Sequence, residues 1–207
     1  MRTINFFALV TVFISFSSCD SDDDSPEVLS IESKLISNIH APQSADYSTN
    51  PPTITGDYIK FSFESGAITT GNDWDIAFRG STILVNGGEK TAEDQPERSS
   101  DAGAYITTGT LASVAEVNTT SFKLDNATDG LAIPTGSGNG WYNYDPTTHI
   151  IAPIAGKVLV VRTNTGRYAK LEILNYYENS SPNEDLSNSQ FYTFNYVYQP
   201  NKLVTSF

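Results

Sequence analysis

Alternation of apolar and polar positions is the main periodic signal along this chain. Between Asp57 and Glu64, Ile59, Phe61 and Phe63 fall on one side and Tyr58, Lys60 and Ser62 on the other. Successive side chains of a strand point to opposite faces, so this segment predicts a half-buried strand. Asp73 to Arg79 repeats the pattern, with Trp74, Ile76 and Phe78 expected inward and Asp73, Asp75 and Arg79 outward. Ser81 to Val85 follows, and Asn86-Gly87-Gly88 is expected to turn the chain, its glycines supplying positive φ. Further on, Trp141 to Tyr144 and His149 to Ile154 predict strands around an Asp145-Pro146 turn. Lys157 to Thr163 carries the unbroken apolar run Val158 to Val161, and Asn164-Thr165-Gly166 predicts a hairpin into Arg167 to Tyr177. Phe191 to Gln199 sets Tyr192, Phe194, Tyr196 and Tyr198 on one side, as a sheet face requires.

The middle is less regular. Glu89 to Asp101 is polar, carries Pro96 and predicts a surface loop. Tyr105 to Thr108, Ala112 to Val117 and Ser121 to Leu124 read as short strands or a single helical turn, and Thr135 to Gly140 as a Gly/Ser loop. No 3.6-residue apolar period of useful length and no internal repeat appears. With 11 Tyr and 11 Phe to fill a core, the expectation is an all-β, single-domain antiparallel β-sandwich-like fold over residues 30–207.

The first residues have a different character. Residues 1–19 join a charged start, an apolar stretch from Phe6 to Phe16, and Ser17-Ser18-Cys19, the form of a secretory signal. The apolar run is shorter than the roughly 20 residues a membrane-spanning helix needs. Cys19 is the chain's one cysteine, so an internal disulfide is excluded. Its placement resembles a bacterial lipoprotein signal, with Cys19 as the lipidation site, and departs from it at Phe16, where Leu or Val is usual. An ordinary signal peptide is the alternative. Asp20 to Asp24 resembles the acidic export signal of Bacteroidetes surface lipoproteins, and residues 20–29 are expected to form an acidic flexible tether. The resemblance implies lipid anchoring at the outer membrane with surface exposure.

Charge excludes nucleic acid as a partner. The formal net charge is −12, and loss of Arg2 with the leader takes it to −13, which repels phosphate backbones. Catalysis also finds no support. With two histidines, no thiol beyond Cys19 and no Gly-x-Ser-x-Gly elbow, little remains for nucleophilic work.

Three blocks together resemble the HmuY family of haem-binding lipoproteins. They are Asn72-Asp73-Trp74-Asp75-Ile76-Ala77-Phe78 with Asn86-Gly87-Gly88, then Gly156 to Ile173, then Tyr192 to Gln199. The resemblance implies an all-β lipoprotein domain of the HmuY type that captures haem at the cell surface and passes it to a TonB-dependent outer-membrane receptor. In that family, haem iron is held by two histidines or, in relatives, methionines, one of them shortly after a Trp-initiated strand. Here Trp141-Tyr142-Asn143-Tyr144 is followed by Asp145-Pro146, and Gly87 to Gly140 contains no His and no Met. The family's ligands therefore do not carry over residue by residue.

The remaining candidates are few. Haem iron accepts His, Met, Cys or Tyr as an axial ligand. His149 is the candidate metal ligand, with a hydrogen-bonded structural histidine as the alternative. Trp141, Tyr142 and Tyr144 are candidate pocket aromatics for a porphyrin or a sugar ring, with core packing as the alternative. His40 is expected in a solvated loop. Asp73 and Asp75 are expected on one strand face, as a polar edge or a loose cation site. A surface glycan- or protein-binding module on the same fold, without haem, is the competing function.

Overall fold

The computed structural model describes residues 28–207, so Cys19 and most of the expected tether lie outside the described residues. The chain forms strands β1 (Glu32–His40), β2 (Ser44–Asp46), β3 (Thr53–Thr55), β4 (Ile59–Ser62), β5 (Ala67–Thr69), β6 (Ile76–Arg79) and β7 (Thr82–Val85). It continues with β8 (Gly103–Thr108), β9 (Tyr142–Tyr144), β10 (Ile151–Pro153), β11 (Lys157–Arg162), β12 (Tyr168–Tyr177) and β13 (Ser189–Gln199). Among the described residues the one helical element is a single 3-10 turn, Glu178–Ser180. Strands β1-β13-β12-β11-β8 make a five-stranded antiparallel sheet, and β5-β4-β6-β7 a four-stranded one. Hairpins β9–β10 and β2–β3 stand apart.

The two large sheets face each other across an aromatic core. Phe61 and Phe78 on the four-stranded sheet meet Phe194 and Tyr192 on the five-stranded sheet, with ring centroids 5.4 and 4.5 Å apart. The expected stripe of Tyr192, Phe194, Tyr196 and Tyr198 is fully inside this core. Edge-to-face and tilted pairs of this kind add about 0.5–1.5 kcal/mol each beyond the burial of their area. The all-β, sandwich-like expectation describes the chain.

Each large sheet is also covered over part of its outer side. In β11, Leu159 and Val161 point into the main core, while Val158 and Val160 point into a second cluster with Val117 and Tyr168. Tyr105, Leu111, Val114, Phe122 and Phe207 close that cluster. A strand buried on both faces reads as an unbroken apolar run, which is what Val158 to Val161 shows. Strand β6 is buried throughout for the same reason, because Trp74, Ala77 and Leu84 form a third cluster behind it.

Four expectations need correction. Asp75 is not on a polar edge: it is fully buried, and its carboxylate accepts the N–H groups of Phe63 (2.7 Å) and Asn164 (2.8 Å). Asp73 is tied elsewhere, accepting the Thr69 hydroxyl at 2.6 Å, so the two acids form no shared cation site. His40 ends strand β1 rather than lying in a loop, and its ring stacks on Phe191 at 4.2 Å. Glu89 to Asp101 is irregular but not wholly superficial, since the Arg98 side chain is buried against Asp125 at 2.9 Å.

Asn86-Gly87-Gly88 bends the chain with Gly88 at the expected positive φ, 85°, but Asn86 and Gly87 lie inside the structure. Asn86 is buried and donates to the carbonyls of Asn72 and Trp74, while Gly87 bridges to Ser100 and Asp101. A Cβ on Gly87 would stand 2.0 Å from the Ala102 carbonyl oxygen. The glycine is there for backbone-to-backbone approach. Gly87→Ala is expected to cost about 1–3 kcal/mol, the usual penalty of overpacking. A denaturant midpoint unchanged from the parent would refute this.

Candidate functional site

The candidate residues cluster on and beside the β9–β10 hairpin. Its tip is shaped by Asp145, whose carboxylate accepts the Thr147 N–H (2.8 Å) and the Thr148 hydroxyl (2.9 Å). Those bonds hold the Asp145 carboxyl below its ordinary pKa. The chain then returns through His149, whose φ of 60° is left-handed. His149 therefore sits in the turn before β10 rather than alternating within a strand. This places its imidazole beside Tyr144, with Tyr144 Oη and His149 Nδ1 2.6 Å apart. Both residues are exposed.

Trp141 and Tyr142 have a different setting. Trp141 is 2% exposed, its indole N–H donates to the Ser81 carbonyl at 3.0 Å, and its ring packs on Tyr142, Tyr176 and Tyr192. Tyr142 is buried and accepts the Ser81 hydroxyl at 3.3 Å. Burial pushes the Tyr176 and Tyr192 phenols up from their ordinary pKa, so both stay neutral hydroxyls. These aromatics anchor the hairpin to the core, and Tyr144 and His149 project from that anchored base. A small cavity of about 240 Å³ beside His149 is lined by Gln43, Gly80, Ser81, Tyr177 and Gln190 among others.

The pair can act in one of two tautomers. If Nδ1 carries the proton, it donates to Tyr144 Oη and leaves the Nε2 lone pair free for a metal. A hydrogen bond on the distal ring nitrogen is the usual way a ligating histidine is oriented. Among the described residues no group of three or more His, Cys, Asp or Glu is arranged to hold a bare metal ion.

A larger groove lies along β8, a feature the side-chain pattern did not mark. It encloses about 1040 Å³ and is walled by β8, residues 113–123 and the loop carrying Pro134 and Asn139. Tyr105 and Phe122, 5.2 Å apart, supply apolar surface, and Lys123, Lys157 and Glu116 supply charge. The sequence signals for it were the short apolar pieces Tyr105 to Thr108 and Ser121 to Leu124, too short to be joined by periodicity alone.

Comparison with solved structures returns distant relatives. The apo HmuY analog of Tannerella forsythia is 16% identical, with 84% of this chain and 100% of that chain covered and a TM-score of 0.46. A Bacteroides vulgatus protein described as HmuY-like and heme-binding is 15% identical, with 83% and 93% covered and a TM-score of 0.39. No curated protein matches the sequence. The family model described as HmuY protein matches residues 55–196, a span that takes in β4 through most of β13 and the whole β9–β10 hairpin. On that match, the chain belongs to the HmuY family.

Proposed function

We propose that this protein is a non-enzymatic surface lipoprotein that captures haem or a related tetrapyrrole, with His149 as the iron ligand. Family membership carries the reading, and the Tyr144–His149 pair supplies its chemistry. With Nδ1–H donating to Tyr144 Oη, the Nε2 lone pair of the exposed His149 would be the group that holds the iron. The cavity beside His149, at about 240 Å³, is smaller than the usual small-ligand pocket of about 300–1,000 Å³. The residues that would hold the ligand are therefore the exposed Tyr144 and His149, with the buried Trp141 and Tyr142 anchoring their hairpin. Cys19 would carry the lipid, and residues 20–29 would tether the domain of residues 30–207 to the outer membrane. Leu29, the last residue of the proposed tether, is bonded to Asn201 through both backbone groups and so is held on the domain. A TonB-dependent receptor is the partner that would take the cargo.

Hemin titration under oxidising and reducing conditions tests this. The expected result is a Soret shift that His149→Ala abolishes or weakens most. Tyr144→Phe should cost about tenfold in affinity, as loss of an orienting partner does. A titration unchanged by His149→Ala would move the iron elsewhere. No Soret shift at all would end the haem reading. One observation favours a second reading, a glycan- or protein-binding module: Asp145-Pro146 follows the Trp141 strand and Gly87 to Gly140 holds no His or Met, so the ligand positions that the family resemblance implies are not filled.

A further inference from the structure

The groove along β8 presents backbone as well as side chains. Gly109 donates its N–H to the Gly156 carbonyl at 2.9 Å, continuing the register in which Thr108 faces Lys157. Hydrogen-bonded pairs in an antiparallel ladder recur at every second residue. Thr107, Tyr105 and Gly103 therefore bond to β11, and Ala104, Ile106 and Thr108 turn their N–H and C=O groups the other way. Ala104 uses both of these groups on Lys123, with two reciprocal bonds of 3.0 Å. Next to that bridge the neighbouring chain leaves the edge. Ser121 turns back onto Asn118, and the Asn118 N–H is taken by the Tyr105 hydroxyl at 2.9 Å. Ile106 and Thr108, whose main-chain groups turn away from β11, both line the groove.

We propose that this groove binds an extended acidic polypeptide segment of another protein, added as a strand beside β8. The edge offers two donor–acceptor pairs set two residues apart, about 7 Å, a spacing that a polypeptide backbone repeats. Alternate side chains of such a guest would meet the apolar surface of Tyr105 and Phe122, which pack edge-to-face at 5.2 Å, on one side. Charge selects the sign. The chain has 24 acidic and 12 basic residues, yet the charged groove-lining side chains are Lys123 and Lys157 against Glu116 alone. Glu116 is occupied in part by the Thr205 hydroxyl at 3.2 Å. An acidic protein with a locally basic open edge attracts acidic segments there and repels them elsewhere. An uncovered edge is otherwise an aggregation hazard, and the walls of the groove restrict it to a single guest strand.

Amide NMR of the intact chain with a capped octapeptide alternating glutamate and valine tests the proposal. Saturable shifts of the Ile106 and Thr108 amides are expected. Methylating alternate backbone nitrogens of the peptide, or Thr108→Pro in the protein, should weaken binding by about tenfold, the effect of one net hydrogen bond. The double variant Lys123→Glu with Lys157→Glu should weaken it further and leave the hemin titration at His149 unchanged. The methylated peptide keeps the test valid if Thr108→Pro does not fold. Absent shifts, binding indifferent to backbone methylation, a preference for the lysine counterpart of the peptide, or hemin perturbing Ile106 and Thr108 instead would each overturn it.

Discussion

Replacing Asp125 by alanine is expected to lower the unfolding free energy by about 3–5 kcal/mol, the cost of leaving one partner of a buried ion pair without the other. Asp125 is fully buried and Arg98 nearly so, with Arg98 Nη2 2.9 Å from Asp125 Oδ2. The same carboxylate accepts the N–H groups of Val85 (3.1 Å) and Ala132 (2.9 Å), so it joins β7 to two stretches of irregular chain. Burial pushes its carboxyl above the ordinary range, while the Ala132 N–H, Arg98 and the Val85 N–H pull the other way. Arg98 also lies 5.6 Å over the Trp74 ring, which keeps the guanidinium in place when its partner is lost. The stranded charge is therefore the main cost. Removing both partners, as Arg98→Leu with Asp125→Leu, should recover the part due to the charge and leave the part due to the two N–H groups. Denaturant unfolding of the two single variants and the double variant measures the split. A loss below about 1 kcal/mol for Asp125→Ala, the value of an exposed pair, would show that the pair is solvated.

Asp75→Ala is expected to strand two buried donors, Phe63 N–H and Asn164 N–H, at about 1–3 kcal/mol each. Asp75 links β4 to the hairpin between β11 and β12, so this loss loosens one large sheet from the other. Its pH dependence has a definite sign. Burial raises the Asp75 carboxyl from 3.8 to about 6, against the pull of its two N–H donors. The folded chain thus binds this proton more tightly than the unfolded chain. The stabilisation is complete below pH 3.8, declines as pH rises through the window up to about 6, and is gone above it. Two pH units at about 1.4 kcal/mol per unit put that decline at roughly 3 kcal/mol. The gap between parent and Asp75→Ala should therefore narrow from pH 4 to pH 7. A gap that stays constant would mean Asp75 remains ionised in the fold.

Alternation found the strands that bury one face. β13 is legible because Tyr192, Phe194, Tyr196 and Tyr198 share the core side. It failed where both faces are covered. Around β6 the period of two carries no inward or outward information, so Asp75 was assigned to solvent although it is buried. Edge strand β1 was invisible for the opposite reason: most of its residues are exposed or half-exposed, so no apolar stripe marks it. Asn86-Gly87-Gly88 has the composition of a turn, but its glycines serve close contact. The candidate site was legible by residue type and not by geometry. By sequence His149 continues the apolar strand Ile150-Ile151, and only its left-handed backbone brings it onto Tyr144. The strand of the β8 edge shows in the sequence only as the short piece Tyr105 to Thr108, and its open edge does not show at all, because the chemistry there is that of the main chain, common to every residue.

The clusters behind β6 and β11 have a consequence for where new specificities can arise. With β6 and β11 each sandwiched between apolar layers, the outer sides of these two strands are not free to hold cargo. New recognition is left to the surfaces away from them, such as the rims, the hairpin tip and the outermost strand. Substitutions there leave the buried layers untouched, so a ligand set can be lost or exchanged while the scaffold persists.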